Sequence, residues 1–236
     1  MNISIAMTTY NGEKYIREQL DSIVNQLEET DEIIISDDGS VDSTLEIINK
    51  FLVKDNRVKL YKNNGLGVVK NFEFAISKCN KEIIFLCDQD DLWMKDKVKK
   101  VKEYFKLNKQ KLLLLHNGID FSDDDLSNNK ELITQKKQGV MSNIIRSSYW
   151  GCCMAFRIDF VEYILPFPKG LVAHDQWIGL IGEYKGTSGY IDEPLIMHRK
   201  HQQNVSRKLS AIGRIRFRWN LFIRLLLYPY KRSKNL

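Results

Sequence analysis

Residues 83–93 read Ile83-Ile84-Phe85-Leu86-Cys87-Asp88-Gln89-Asp90-Asp91-Leu92-Trp93. Five apolar residues end abruptly in three carboxylates within four positions. A short apolar run bounded by polar residues predicts a strand buried on both faces, as in parallel sheets. Ligands of such sheets bind beyond the carboxyl ends of the strands, which is where the acidic cluster falls. Capping the next helix needs fewer carboxylates than this. Adjacent carboxylates repel one another, so Asp88, Asp90 and Asp91 require a cation or strong donors nearby. Hard oxygen ligands suit Mg²⁺ or Mn²⁺ bridging a diphosphate.

Outward from this stretch, strand and helix signals alternate. Further β-rich runs are Ile3–Met7, Ile33–Ser36, Val58–Tyr61 and Leu112–His116. Helical periods lie between them: Ile16, Leu20, Ile23, Leu27; Leu45, Ile48, Leu52; Val69, Phe72, Ile76; and Val98, Val101, Phe105. The expected fold class is α/β, a mostly parallel sheet flanked by helices. Residues 117–143 are polar and aperiodic and predict a loop-rich excursion. Ile212–Leu226 predicts a helix with an apolar face at Ile212, Ile215, Trp219, Phe222 and Leu226. The lysines between Lys95 and Lys111 read as the solvated side of a helix.

The 236 residues, 43% hydrophobic and 28% charged, exclude a disordered or collagen-like chain and fit one large domain with an extension. The formal charge of +6 is unevenly spread. No acidic residue follows Glu193, so residues 1–193 are net negative and the remainder, from Arg199 to Lys234, is strongly basic. An acidic body argues against nucleic acid as the partner. Cys79, Cys87, Cys152 and Cys153 lack metal-site spacing and read as buried free thiols of a reducing compartment. No signal peptide opens the sequence and no apolar run approaches the ~20 residues of a membrane span, so the expected location is cytoplasmic.

Two more polar clusters follow strands: Thr8-Thr9-Tyr10-Asn11 after the first and Asp37-Asp38-Gly39-Ser40 after the second. The latter also fits a turn with a helix cap. Other nucleotide and hydrolase signatures fail: no GxxxxGK[ST], HExxH or GxSxG occurs, and Gly65-Leu66-Gly67 continues to Lys70 where a dinucleotide fingerprint needs Gly or Ala.

Met7-Thr8-Thr9-Tyr10-Asn11-Gly12, Ser36–Thr44, Asp88-Gln89-Asp90-Asp91-Leu92-Trp93, Trp150–Phe156, His174-Asp175-Gln176-Trp177 and His198–Ser206 resemble, in order, the signatures of family-2 glycosyltransferases of the GT-A fold. Within that family the pattern most resembles bacterial polysaccharide rhamnosyltransferases. The resemblance covers residues 1–206, divided into a nucleotide-binding half (1–116) and an acceptor and catalytic-base half (117–206), with 207–236 as a basic amphipathic extension. It implies that Thr8, Thr9, Tyr10 and Asp38 hold the nucleotide base, with Lys70 near the nucleotide or diphosphate. Asp88 faces the ribose and metal shell, Asp90 is the direct ligand of Mn²⁺ or Mg²⁺, His201 is a further metal or diphosphate contact, and Asp91 orients the donor sugar. Asp175 is the expected catalytic base, because an acceptor hydroxyl needs a carboxylate to take its proton from a segment separate from the metal cluster; helix capping is its competing role. Trp150, Gly151 and Trp177 are candidates for the sugar site, with core packing the competing reading for each tryptophan.

The implied activity is inverting, metal-dependent transfer from a nucleoside-diphosphate sugar, dTDP-rhamnose or a UDP-hexose, to a glycan or lipid-linked glycan in cell-surface polysaccharide synthesis. The basic tail, carrying Trp and Phe, suits an anionic membrane surface and so the inner face of the plasma membrane; docking on the protein's own acidic body is the alternative. The competing classes are a nucleotidyltransferase, which lacks its Gly-rich loop here, and a membrane-associated interaction protein with a dead site.

Overall fold

A computed structural model describes residues 1–123, 125–132, 139–145, 147–201 and 210–233. The expected motif residues 202–206 therefore lie outside the described residues, as do the side chains of Ile212 and Arg214. In chain order the first half contains β1 (Ile3–Thr9), α1 (Ile16–Val24), β2 (Glu32–Asp37), α2 (Thr44–Lys54), β3 (Val58–Lys62), α3 (Val68–Lys78) and β4 (Ile83–Cys87). Then come β5 (Leu92–Trp93), α4 (Lys97–Leu107), β6 (Leu113–Ser122), β7 (Asp125–Leu132) and α5 (Val140–Ile145). The last part holds β8 (Met154–Arg157), α6 (Val161–Ile164), α7 (His174–Tyr184), β9 (Ser188–Arg199) and α8 (Ala211–Ser233).

One sheet runs in the order β3-β2-β1-β4-β8-β6-β9-β5, with β7 paired to β6. β3, β2, β1 and β4 are parallel, whereas β8 pairs antiparallel with both β4 and β6. β1 is buried throughout, and its side chains alternate between two cores. Ile3, Ile5 and Met7 pack with α1 and α4; Ala6 packs with α3 and α7. Because β2, β1 and β4 are neighbours, the polar clusters that follow them stand side by side at one edge.

Three expectations change. Residues 117–143 are not mainly loop: β6 continues to Ser122, and β7 forms a hairpin with it. Bonded to β6 alone, β7 has the polar sequence of an edge strand, which hides a strand from an apolar pattern. The lysine-rich helix is not uniformly solvated. Lys97 shares the inward stripe of Val101 and Phe105 at i, i+4 and i+8, is fully buried, and donates Nζ to the Cys152 carbonyl at 2.9 Å. Lys102 is also buried, against Asp31. Finally, Arg199 closes β9 inside the body and Lys200 pairs with Asp120, so the basic tail begins later than the charge pattern implies.

Candidate active site

The loops after β1 and β2 are tied into one unit by reciprocal hydrogen bonds. Ser40 Oγ accepts from the Asn11 N–H, and Asn11 Oδ1 accepts from the Val41 N–H at 2.9 Å. Asn11 takes a left-handed conformation, φ 47°, which Asn tolerates better than most residues. Asp37 is fully buried and accepts from Thr9 Oγ1, Gly39 N–H and Ser40 N–H, the turn role that its sequence allowed. The hydroxyl of Thr9 thereby donates to Asp37 and its carbonyl accepts from the Asp38 N–H at 2.9 Å, so Thr9 ties β1 to the loop after β2. Asp38 accepts from the Leu66 and Gly67 N–H groups at 2.6 and 2.8 Å, which docks the loop before α3 on the loop after β2. Lys70, on the first turn of α3, pairs with Glu73 at the surface.

Gln89 joins this unit to the acidic cluster. Its side-chain amide accepts from Tyr10 N–H at 2.8 Å and donates to Tyr10 O at 3.0 Å, leaving the Tyr10 ring exposed. A Cβ at Gly12 would stand 2.3 Å from Gln89 Oε1, so a larger residue there would displace the Gln89 amide from Tyr10.

Asp88 is half-buried and Asp91 fully buried. Burial, then the charges of Asp91 and Asp90 and finally that of Asp175, push the Asp88 carboxyl well above the ordinary carboxylate range. Burial also raises Asp91, to about 7, against the pull of the cationic His198. Asp91 Oδ1 accepts from Arg199 N–H, but its Oδ2 is buried without a partner among the described residues. Asp88, Asp91 and the Cys152 thiol bring ligand atoms within 4.8 Å of one another. Beside them, His201 Nε2 lies 2.8 Å from Asp90 Oδ2, and its ring stacks on Tyr15. Costly buried carboxylates, an orphan oxygen and oxygen-rich donors fit a hard divalent cation.

Asp175 occupies the first turn of α7, half-buried, and burial raises its carboxyl to about 6. Its Oδ1 accepts from the Gln176 N–H at 2.7 Å, within the first turn of the helix that begins after Ala173. Gly151 lies against it: a Cβ there would be 3.7 Å from Asp175 Cβ and 3.1 Å from His174 Nε2. His174 stacks on Phe72 and is held neutral by burial, which lowers it to about 3. Trp150 is half-buried, with its ring 5.4 Å from that of His198. Trp177 faces the other way. It is 3% exposed, donates Nε1–H to Ile164 O and packs on Tyr228, so it belongs to the core and not to a sugar site.

Sequence reasoning did not single out Gln89, His198 or Arg199. The buried Arg199 donates to Asp90 O and to the carboxylates of Glu18 and Asp123. Burial disfavours a charged His198, but its bond to Asp120 at 2.8 Å and the nearby Asp91 raise it to about 9. Both residues end a strand that converges on Asp90 and Asp91, a relation visible only once β9 is placed.

The family model "Glycosyl transferase family 2" matches residues 4–165. The chain belongs to glycosyltransferase family 2. It is 29% identical over 241 residues to the dTDP-rhamnosyl transferase RfbG of Shigella flexneri, covering 90% of this chain and 80% of that protein. Among solved structures, TarS of S. aureus in complex with UDP-GlcNAc superimposes with TM-score 0.77 at 21% identity, over 96% of this chain and 67% of TarS. A mannosyltransferase of Pyrobaculum calidifontis, in complex with GDP-Man and Mn²⁺, gives TM-score 0.63 at 17% identity over 87% of this chain and 58% of that one. The fold is therefore GT-A, and this family-2 member is a glycosyltransferase.

Proposed function

We propose that the chain transfers one sugar from a nucleoside diphosphate to an acceptor hydroxyl with inversion. The observation that carries this reading is the meeting of Asp175 with the acidic cluster: Gly151, without a side chain, lies against Asp175, and the next residue, Cys152, brings its thiol within 4.8 Å of the Asp88 and Asp91 carboxylates. Thr8, Thr9, Tyr10 and Asp38 form the nucleotide end, with Lys70 at its rim once released from Glu73. Asp88, Asp90 and His201 would hold Mn²⁺ or Mg²⁺, which when bound neutralises the leaving diphosphate. Asp91 fixes the cluster through Arg199 and stands next to the donor sugar. The acceptor oxygen forms its bond to the anomeric carbon as the bond to the diphosphate breaks, and its proton passes to Asp175. Trp150 and Gly151 line the sugar end.

The similarity to RfbG supports dTDP-rhamnose as the donor, with a UDP-hexose as the competitor. A lipid-linked glycan of cell-surface polysaccharide synthesis, met at the cytoplasmic leaflet, is the acceptor we assign, with 1–206 as the catalytic unit and 207–236 as its extension. No helix among the described residues is long and apolar enough to cross a membrane. Thermal shifts and donor hydrolysis across a panel of nucleotide sugars, with and without Mn²⁺, test the reading. Metal-dependent stabilisation by dTDP-rhamnose alone supports it; selectivity for UDP-hexoses changes the donor; inertness toward every nucleotide sugar refutes the transferase assignment and leaves the interaction-protein alternative.

A further inference from the structure

Helix α8 has two apolar faces, and the body covers one of them. Leu221, Leu225 and Tyr228 are buried in the core beside α7, where Tyr228 packs edge-on against Trp177 and Tyr184. Arg224 donates to the Lys169 carbonyl in the segment leading to α7. Ile215, Trp219 and Leu226 remain 67%, 64% and 58% exposed, and Trp219 packs at 5.8 Å on Phe222, which is itself half-buried against the core. At helical spacing, residues 215, 219 and 226 fall within an arc of about 40°, roughly 130° away from the buried face, with Phe222 at the margin between the two. Arg216 and Arg218 flank that arc on its two sides.

We infer that this outer face of α8 lies in the surface of an anionic membrane while the inner face stays docked. A contiguous apolar stripe with an aromatic pair is unusual on a surface left in water. The charge pattern selects the occupant: no acidic residue follows Glu193, and basic side chains border the stripe, where their stems can reach headgroups. The helix is not apolar enough to span a bilayer, so it lies along the interface. The inference rests on, and deepens, the reading of a lipid-linked acceptor. α8 is fastened to α7, whose first turn carries Asp175, so the lipid surface and the proposed base are held by one packed pair of helices.

Flotation of the full chain with vesicles of phosphatidylcholine, alone or mixed with phosphatidylglycerol, tests this. Binding to the anionic vesicles, weakened by salt, is expected, and Ile215→Asn/Trp219→Ser/Leu226→Asn together reduce it at least about tenfold. Arg216→Gln/Arg218→Gln, which spares Leu221, Leu225 and Tyr228, removes much of the salt-dependent part. Absence of binding to anionic vesicles, equal binding by the triple variant, or a dimer that the triple variant splits without any vesicle binding each overturns the inference. Failure of the unsubstituted chain to float, with its nucleotide-sugar hydrolysis retained, overturns the membrane assignment alone. Flotation without hydrolysis of any donor sustains it and removes the transferase reading instead.

Discussion

The backbone N–H of Arg199 donates to Asp91 Oδ1 at 3.0 Å across 108 positions of sequence, fastening the end of β9 to the acidic turn after β4. The Arg199 guanidinium repeats the link by donating Nε–H to the Asp90 carbonyl at 2.9 Å, and it packs over the rings of Tyr15 and Phe121. Arg199→Met keeps the backbone bond and removes the side-chain ones. Because Glu18 and Asp123 are largely solvated, most of the loss comes from the buried bond and the ring contacts, about 2 kcal/mol by urea unfolding. A variant as stable as the parent, with donor binding unchanged, would show that the clamp is idle.

Asp91 gives stability an unusual pH dependence. Its carboxyl, raised by burial to about 7 from 3.8, holds a proton in the folded state that the unfolded chain has already released. Between these values folding takes up a proton, so stability falls as pH rises through 7, by at most about 1.4 kcal/mol per pH unit for one group. Asp91→Asn keeps an oxygen for Arg199 and abolishes the charge, so the slope of Tm against pH should flatten. Mn²⁺ should restore Tm selectively at the alkaline end. An unchanged slope in the variant would assign the effect to other groups.

The two tryptophans of the second half separate by measurement. Trp177→Ala empties a core position and removes the bond to Ile164, costing about 3–5 kcal/mol. Trp177→Phe retains most of the volume and should cost about 1 kcal/mol with kinetics unaltered. Trp150→Ala is expected to lower Tm less than Trp177→Ala does and to raise KM for the acceptor. Reversal of this pattern, with Trp177→Phe altering KM, would return Trp177 to the sugar site.

Legibility in the sequence followed the strength of the local pattern. Ile83–Cys87 with its carboxylates, and the strands beside it, carry their own period and ends, so the parallel half and its site edge were readable. Lys97 was misread because residue type outweighed its i, i+4 relation to Val101. Arg199 was counted with the tail because the last acidic residue marks a change in charge, not the end of a strand. Trp177 lies two positions from Asp175, yet in a helix that turns it about 200° away, toward Tyr228. Gln89, His198 and Arg199 act through partners distant in sequence, which no local period reveals.

Asp175 makes the proposed mechanism testable by pH. A general base works when deprotonated, and burial lifts this carboxyl to about 6, so kcat/KM should fall as pH drops through about 6 and level off above it. A divalent cation near Asp88 favours the ionised form, so saturating Mn²⁺ should move that limb to lower pH. Asp175→Asn preserves size and can still accept the Gln176 N–H, so donor-induced thermal shifts should persist while kcat falls by about 10²–10⁴-fold. The residual rate should lose the limb near 6, because no titrating base remains there. Normal turnover, or a residual rate with the same limb, would move the base to another residue and leave Asp175 as a cap of α7.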